Sequence, residues 1–304
     1  MFSLNNQSNA DPTDELISIS LKTLIDLVRP ATSLKQRKSK INSSLSGGFL
    51  SRIKGRGMEF DETRLYQPGD DIRNIDWRVT ARTNTTHTKL FREERERAIF
   101  ISVDNRPSMN FATRGVFKSV QAAKLAALLA WVAQLHGDRV GGQIYTADYC
   151  HELKPHNGRH AVLRLLNALV HRDNKLKPTD TRLHQVISRL AHHVRPGSLI
   201  YLISDFRGLD SQVENHFSKL TQHSDVVLIH VFDPLESSLP DSGRYRFTDG
   251  LKEISLDTRD RQRTTDYHLR FDQHQQKLKQ LAKKMRMGYI QCSTIDDPVR
   301  KLRL

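Results

Sequence analysis

The run Ala98-Ile99-Phe100-Ile101-Ser102-Val103 ends on Asp104 and leads, through a loop carrying Arg106, Pro107 and Ser108, into Phe117 to Leu135, a segment apolar almost all round. A short β-rich run without polar alternation reads as a strand buried on both faces, and a helix lacking a polar face must itself be enclosed. The same alternation continues down the chain. Strands are expected at Arg139 to Thr146, near Cys150 to Leu153, at Leu199 to Ser204, at Val226 to Phe232 and near Tyr289 to Cys292. Helices are expected at His160 to Leu169, Thr181 to Val194, Ser211 to Thr221 and Arg263 to Met287, with a polar hairpin-like region at Tyr245 to Leu256. Alternating strands and helices predict an α/β fold: a mostly parallel sheet with helices on both faces and right-handed crossovers.

Upstream of Ala98 the pattern is looser. Residues 1 to about 15 are polar and expected to fray. Ile17 to Arg29 reads as a short amphipathic helix stopped by Pro30, and Thr32 to Lys40 as basic linker. Met58 to Arg97 is charged and turn-rich, with a strand near Thr88 to Arg92. The expected organisation is an N-terminal helix and linker over 1–40, a β- and loop-rich segment over 41–97, and an α/β domain over 98–304.

Charge and motif content narrow the function classes. A formal net charge of +14 favours an acidic partner, whether nucleic acid, an anionic membrane surface or an acidic protein face, although a solvated basic surface gives the same number. The C-terminal helix illustrates both readings, with Leu278, Leu281 and Met285 on one face and Lys277, Lys279, Lys283, Lys284 and Arg286 around the rest. No nucleic-acid module or aromatic stacking surface accompanies it. No apolar stretch reaches the roughly 18 residues a spanning helix needs, and no basic-then-apolar leader opens the chain, so a cytoplasmic protein without a transmembrane segment is expected. Cys150 and Cys292 lie far apart without zinc-site spacing and are expected as reduced thiols. The phosphate-loop, dinucleotide-fingerprint, nucleophile-elbow and HExxH motifs are all missing, which argues against an enzyme.

In a sheet of this kind ligands sit beyond the carboxyl ends of the strands. Asp104 and Ser108 follow the first strand, Ser204 and Asp205 follow another, and Thr179-Asp180-Thr181 lead into a helix starting at the same end. These hard oxygen donors suit Mg²⁺ or Mn²⁺, although each taken alone is more often a helix cap. Together, Asp104-x-Arg106-x-Ser108, Thr179-Asp180 and Ile203-Ser204-Asp205 resemble the metal-ion-dependent adhesion site of von Willebrand factor A domains. The resemblance implies Asp104, Ser108, Thr179 and Asp205 as metal ligands.

The stretch from Arg56-Gly57-Met58 through Arg64, Tyr66, Pro68-Gly69-Asp70-Asp71, Arg73, Asp76-Trp77-Arg78 and Arg82 closely resembles the signature of the domain of unknown function 58 family. That resemblance spans roughly residues 40 to 300. It implies a von Willebrand A-like fold with an N-terminal insertion, in bacterial proteins whose genes commonly neighbour MoxR-type AAA+ ATPases. The chain departs from the adhesion-site pattern at Arg106, where serine is called for. A guanidinium about 4 Å from a divalent cation would cost about 8 kcal/mol at an effective dielectric of about 20. Either Arg106 swings outward over a weakened Mg²⁺ site, or it folds inward onto Asp104 or Asp205 and no metal is held.

Within the signature, Pro68-Gly69 reads as a turn, followed by Asp70, Asp71 and Asp76 interleaved with Arg73, Arg78, Arg82 and Trp77. The block is either a salt-bridged scaffold or a recognition surface anchored by Trp77 and the arginines; a paired-carboxylate hydrolase is disfavoured by so many neighbouring guanidiniums. The functional expectation is a non-enzymatic interaction protein, adaptor or co-factor of a MoxR-type AAA+ ATPase through a degenerate adhesion site. The competing expectation is a basic nucleic-acid or anionic-surface binder.

Overall fold

The computed structural model describes residues 14–34, 58–93, 97–171, 182–239, 243–248, 253–257 and 260–303. The chain divides into two compact units, Met1–Ile41 with Arg97–Leu304, and Asn42–Glu96.

In chain order, the elements begin with three short helices, α1 (Asp14–Ile17), α2 (Leu21–Asp26) and α3 (Val28–Ala31). The smaller unit follows with β1 (Met58–Leu65), α4 (Trp77–Thr83) and β2 (His87–Glu93). The larger unit resumes with β3 (Ala98–Asp104), α5 (Lys118–Leu135), β4 (Arg139–Tyr145), β5 (Cys150–His156), α6 (Arg159–Val170), α7 (Leu183–His193), β6 (Leu199–Ser204), α8 (Ser211–Thr221) and β7 (Asp225–Phe232). It closes with α9 (Pro234–Ser237), a hairpin of β8 (Arg244–Thr248) and β9 (Glu253–Asp257), α10 (Arg261–Lys284), β10 (Gly288–Ser293) and α11 (Pro298–Leu302).

The expected α/β architecture forms. Six strands lie in the order β10-β7-β6-β3-β4-β5, all parallel to their neighbours except β5, which runs antiparallel to β4. The predominantly apolar β3 and β6 occupy the centre and are buried along their whole length. One core, on the face covered by α5 and α6, includes Ile99, Ile101, Leu128, Trp131 and Leu165; the other, on the face of α7, α8 and α10, includes Phe100, Ile187, Leu202, Phe217 and Leu278. Between β3 and β4 the strands approach closely at Gly142, where a Cβ would fall 2.3 Å from the Ile101 carbonyl oxygen. Glycine is the residue this approach admits.

The N-terminal helices pack into the larger unit. Leu24 and Ala31 are buried in the α5–α6 core, and the indole Nε1 of Trp131 donates to the Leu24 carbonyl at 3.0 Å. The single helix expected over Ile17 to Arg29 is broken: α2 ends before Leu27, and Pro30 lies inside the next turn, α3, instead of stopping the helix. A one-turn helix leaves its first N–H groups unpaired in any case, so proline costs little there.

In the smaller unit β1 and β2 pair antiparallel, from Met58 opposite Glu93 to Leu65 opposite His87. The charged composition hid β1 and α4 from periodicity. Asp76 starts α4 by accepting from the Arg78 and Val79 amides, and Asn84 ends it in a left-handed conformation. Gly69, at φ +107, makes the turn expected at Pro68-Gly69.

The Trp131 bond ties the N-terminal helices to α5. Replacing Trp131 with Phe leaves the buried Leu24 carbonyl without its donor and should lower the unfolding free energy by about 1–3 kcal/mol. Chemical denaturation measures the loss, and limited proteolysis should show earlier cleavage near α2.

Candidate functional site

The chain passes from β3 to β4 and β5 on one side, then returns to build β6, β7 and β10 on the other, so the order reverses between β3 and β6. At such a switch point the loops leave in opposite directions and open a crevice at the carboxyl ends. Asp104 ends β3 there, and Ser204 ends β6 beside it, with Asp205 next in the chain.

Asp104 has no exposed surface. Its Oδ1 accepts from the Arg106 amide at 2.9 Å and from Arg106 Nε at 3.1 Å, and its Oδ2 from an Arg106 terminal nitrogen at 2.8 Å and from Ser204 Oγ at 2.6 Å. A carboxylate offers about four lone-pair positions, and these donors engage them all. The Arg106 guanidinium lies 5.7 Å from the centre of the Tyr145 ring, reaches the Arg207 carbonyl at 3.2 Å and stands 3.7 Å from Asp205 Oδ1. Burial disfavours its charge, but Asp104 outweighs burial and raises its pKa.

A second buried cation completes the arrangement. Lys118, in the first turn of α5 and without exposed surface, places its Nζ 2.8 Å from Glu236 Oε1 and 3.2 Å from Asp205 Oδ2. Arg207 reaches the same two carboxylates, 2.8 Å from Glu236 Oε1 and 3.5 Å from Asp205 Oδ2. The second Glu236 oxygen accepts the Asp233 amide at 2.9 Å. Burial alone would raise the pKa of Asp205, but Lys118, Arg207 and the Ser108 side chain hold it below the ordinary carboxylate value. Asp104, Asp205 and Glu236 are thus matched by Arg106, Lys118 and Arg207. Phe206, between two of these residues, takes φ 54 with its ring buried, a strained conformation for a bulky side chain that its neighbours enforce.

Aromatic rings adjoin the rim. His230, paired in register with Ser204, stacks on Phe271 at 6.2 Å and meets His274 edge-on at 5.7 Å. Burial first, and then His274, push its pKa down to about 3, so it is neutral here. His274 Nε2 donates to the Asp205 carbonyl at 3.0 Å and ties α10 to the rim.

Of the four residues that the adhesion-site resemblance implies as ligands, Asp104, Ser108 and Asp205 meet at this rim; Thr179 lies outside the described residues. Sequence reading passes over Lys118, Arg207 and Glu236. A signal for the first was present: a lysine at the start of a helix apolar on every side is carried into the interior and needs a carboxylate there. Among the signature residues, Asp70 accepts from Arg64 at 2.8 Å and from the Gln67 amide at 3.0 Å, while Asp71 and Asp76 cap the turn at Ile72–Asn74 and helix α4. Tyr66 donates its amide to Thr86. Arg73, Arg78 and Arg82 are exposed, and among the described residues their guanidiniums meet no carboxylate; Trp77 and Ile72 stand 68% and 66% exposed beside them in sequence.

The Lys118 contacts predict a sharp contrast. Lys118→Met leaves two buried carboxylates facing each other and should lower the unfolding free energy by about 3–5 kcal/mol. Arg207→Ala, which removes a mostly exposed partner, should cost at most about 1 kcal/mol. Denaturant titrations of the two variants give the comparison.

Comparison with known proteins finds sequence relatives and partial structural likenesses. An uncharacterized protein of Mycobacterium tuberculosis, Rv1480, is 31% identical over 229 residues, covering 72% of this chain and 70% of its own. Among solved structures, a von Willebrand factor type A protein from Catenulispora acidiphila aligns with TM-score 0.31 at 11% identity, over 48% of this chain and 34% of its own. An aerotolerance-related membrane protein from Bacteroides fragilis aligns with TM-score 0.45 at 16% identity, over 68% and 94%. The description of that last structure as a membrane protein overturns the expected cytoplasmic location. Among the described residues no helix is long and apolar enough to cross a membrane, which places the chain in no compartment. The model of the family described as "Protein of unknown function DUF58" matches residues 62–277, and the chain, with its α/β fold, belongs to that family.

Proposed function

We propose that this chain is a non-enzymatic protein-interaction module, an adaptor or co-factor of a MoxR-type AAA+ ATPase, whose rim is a degenerate metal-ion-dependent adhesion site. The observation that carries the reading is the Arg106 fork on Asp104. With Ser204 it engages every lone pair of the carboxylate that would anchor a metal, and Lys118 and Arg207 neutralise Asp205 and Glu236. A divalent cation entering this site would displace a guanidinium already held by charge-assisted bonds and would face an ammonium it cannot displace. The residues present do not fit Mg²⁺.

Recognition then falls to surfaces that need no metal. Asp70, Asp71 and Asp76 of the signature segment are engaged by backbone amides, Arg64 and Lys89, and among the described residues Arg73, Arg78 and Arg82, beside the exposed Trp77 in sequence, meet no carboxylate. Tryptophan and arginine are the residues most enriched among binding hot spots, and their charge calls for an acidic partner face. The ATPase is the partner that family resemblance implies, and it would supply the nucleotide hydrolysis for which this chain carries no motif. The same arginines also support the second reading, a nucleic-acid or anionic-surface binder; its mark would be affinity that falls steeply with salt.

Isothermal calorimetry should show no Mg²⁺ uptake by the wild-type chain in the millimolar range and a measurable gain in Arg106→Ser; strong uptake by the wild type would overturn the degenerate site. In a pull-down at physiological salt, the chain should retain a MoxR-type AAA+ ATPase from the same organism, and Trp77→Ala with Arg78→Ala should abolish retention. DNA binding that disappears at moderate salt, with no ATPase recovered, would replace this reading by the second.

A further inference from the structure

The opposite end of the sheet holds a cavity of about 450 Å³. It opens where β3 and β4 begin, where antiparallel β5 ends, and where the chain turns from α7 into β6. Phe100, Pro155 and Val194 give it apolar walls, and Arg139, Lys154 and Arg195 bring three positive charges to its lining. Among the described residues, none of those three side chains meets a carboxylate. Glu152, the acidic residue in the lining, is 3.1 Å from His193 Nε2 and so already has a partner. Among the described residues the Arg139 Nε is buried without a hydrogen-bond partner. A buried guanidinium N–H left unpaired is rare in folded proteins, so Arg139 enters the lining with its charge incompletely compensated.

The geometry points to a binding site for a small organic oxyanion, a phosphate or carboxylate group carried on an apolar body. A guanidinium presents paired N–H donors that match the two oxygens of either group. The volume falls within the roughly 300–1,000 Å³ of small-molecule pockets, and the mixture of apolar wall with a few convergent charges is the composition such pockets share. A nucleic-acid backbone is the poorer fit, since it is read by open basic surfaces and would leave the apolar wall uncovered. This site stands apart from the rim, at the other ends of the same strands, and is independent of the reading given to Arg106.

Calorimetric titration of the full chain at fixed ionic strength, with adenosine monophosphate and with octanoate as probes, tests the proposal. At least one probe should bind saturably, and the one that does separates a phosphate from a carboxylate ligand. Arg139→Met should weaken that binding by roughly tenfold, as expected for loss of a bidentate charged contact. Lys154→Met, at an exposed position that does not threaten folding, should weaken it by a smaller factor, and Arg106→Ser should leave it unchanged. Failure of both probes to bind at millimolar concentration, or equal binding by wild type and by Lys154→Met and Arg139→Met, would overturn it.

Discussion

A carboxylate withdrawn from water at the end of a central strand must find positive charge, and the rim of this protein is organised by how Asp104 does so. The charge comes from two residues along the same loop, in the form of a guanidinium whose planar fork covers both oxygens. This local solution fixes the loop as well as the charge, because the Arg106 amide bonds the same carboxylate as its side chain. Lys118 and Arg207 extend the principle to Asp205 and Glu236, so that segments distant in sequence are held together by alternating charges. Such a network is neutral as a set but intolerant of any single deletion at its buried members.

Rigidity at the rim follows. Phe206 keeps a left-handed backbone because its amide is bonded to Ser204 Oγ at 2.8 Å and its ring is buried. His274 fastens α10 to the same turn, and the neutral His230 fills the space behind it with rings on several sides. A metal-dependent adhesion site needs coordination positions that open toward a ligand. Here those positions are filled from within, and the function proposed above therefore assigns recognition to Trp77 and the arginines near it, which among the described residues meet no carboxylate.

Much of the α/β unit was legible in the sequence because its central elements are buried, and predominantly apolar runs such as Ala98 to Val103 and Leu199 to Ser204 leave little choice of structure. The smaller unit was harder to read. In β1 and α4, charged residues serve as caps and cross-strand partners, so they break the apolar period on which a helix or strand is recognised. The break at Leu27 escaped for a related reason: the chain turns there without a glycine or a proline to announce it. At the site, the carboxylates and Arg106 stood in a recognisable spacing, whereas Lys118, Arg207 and Glu236 come together only through the fold. Charge pairing across such separations is a tertiary property, and no local pattern carries it.

The outer strand β5 leaves one side of the sheet without a neighbouring strand among the described residues, and its sequence bears on how the molecule behaves in a crowd. Proline at position 155 has no N–H to offer, and the exposed lysine before it would have to surrender its hydration for a second chain to align there. Strand-by-strand addition of a second copy along that edge is thereby disfavoured.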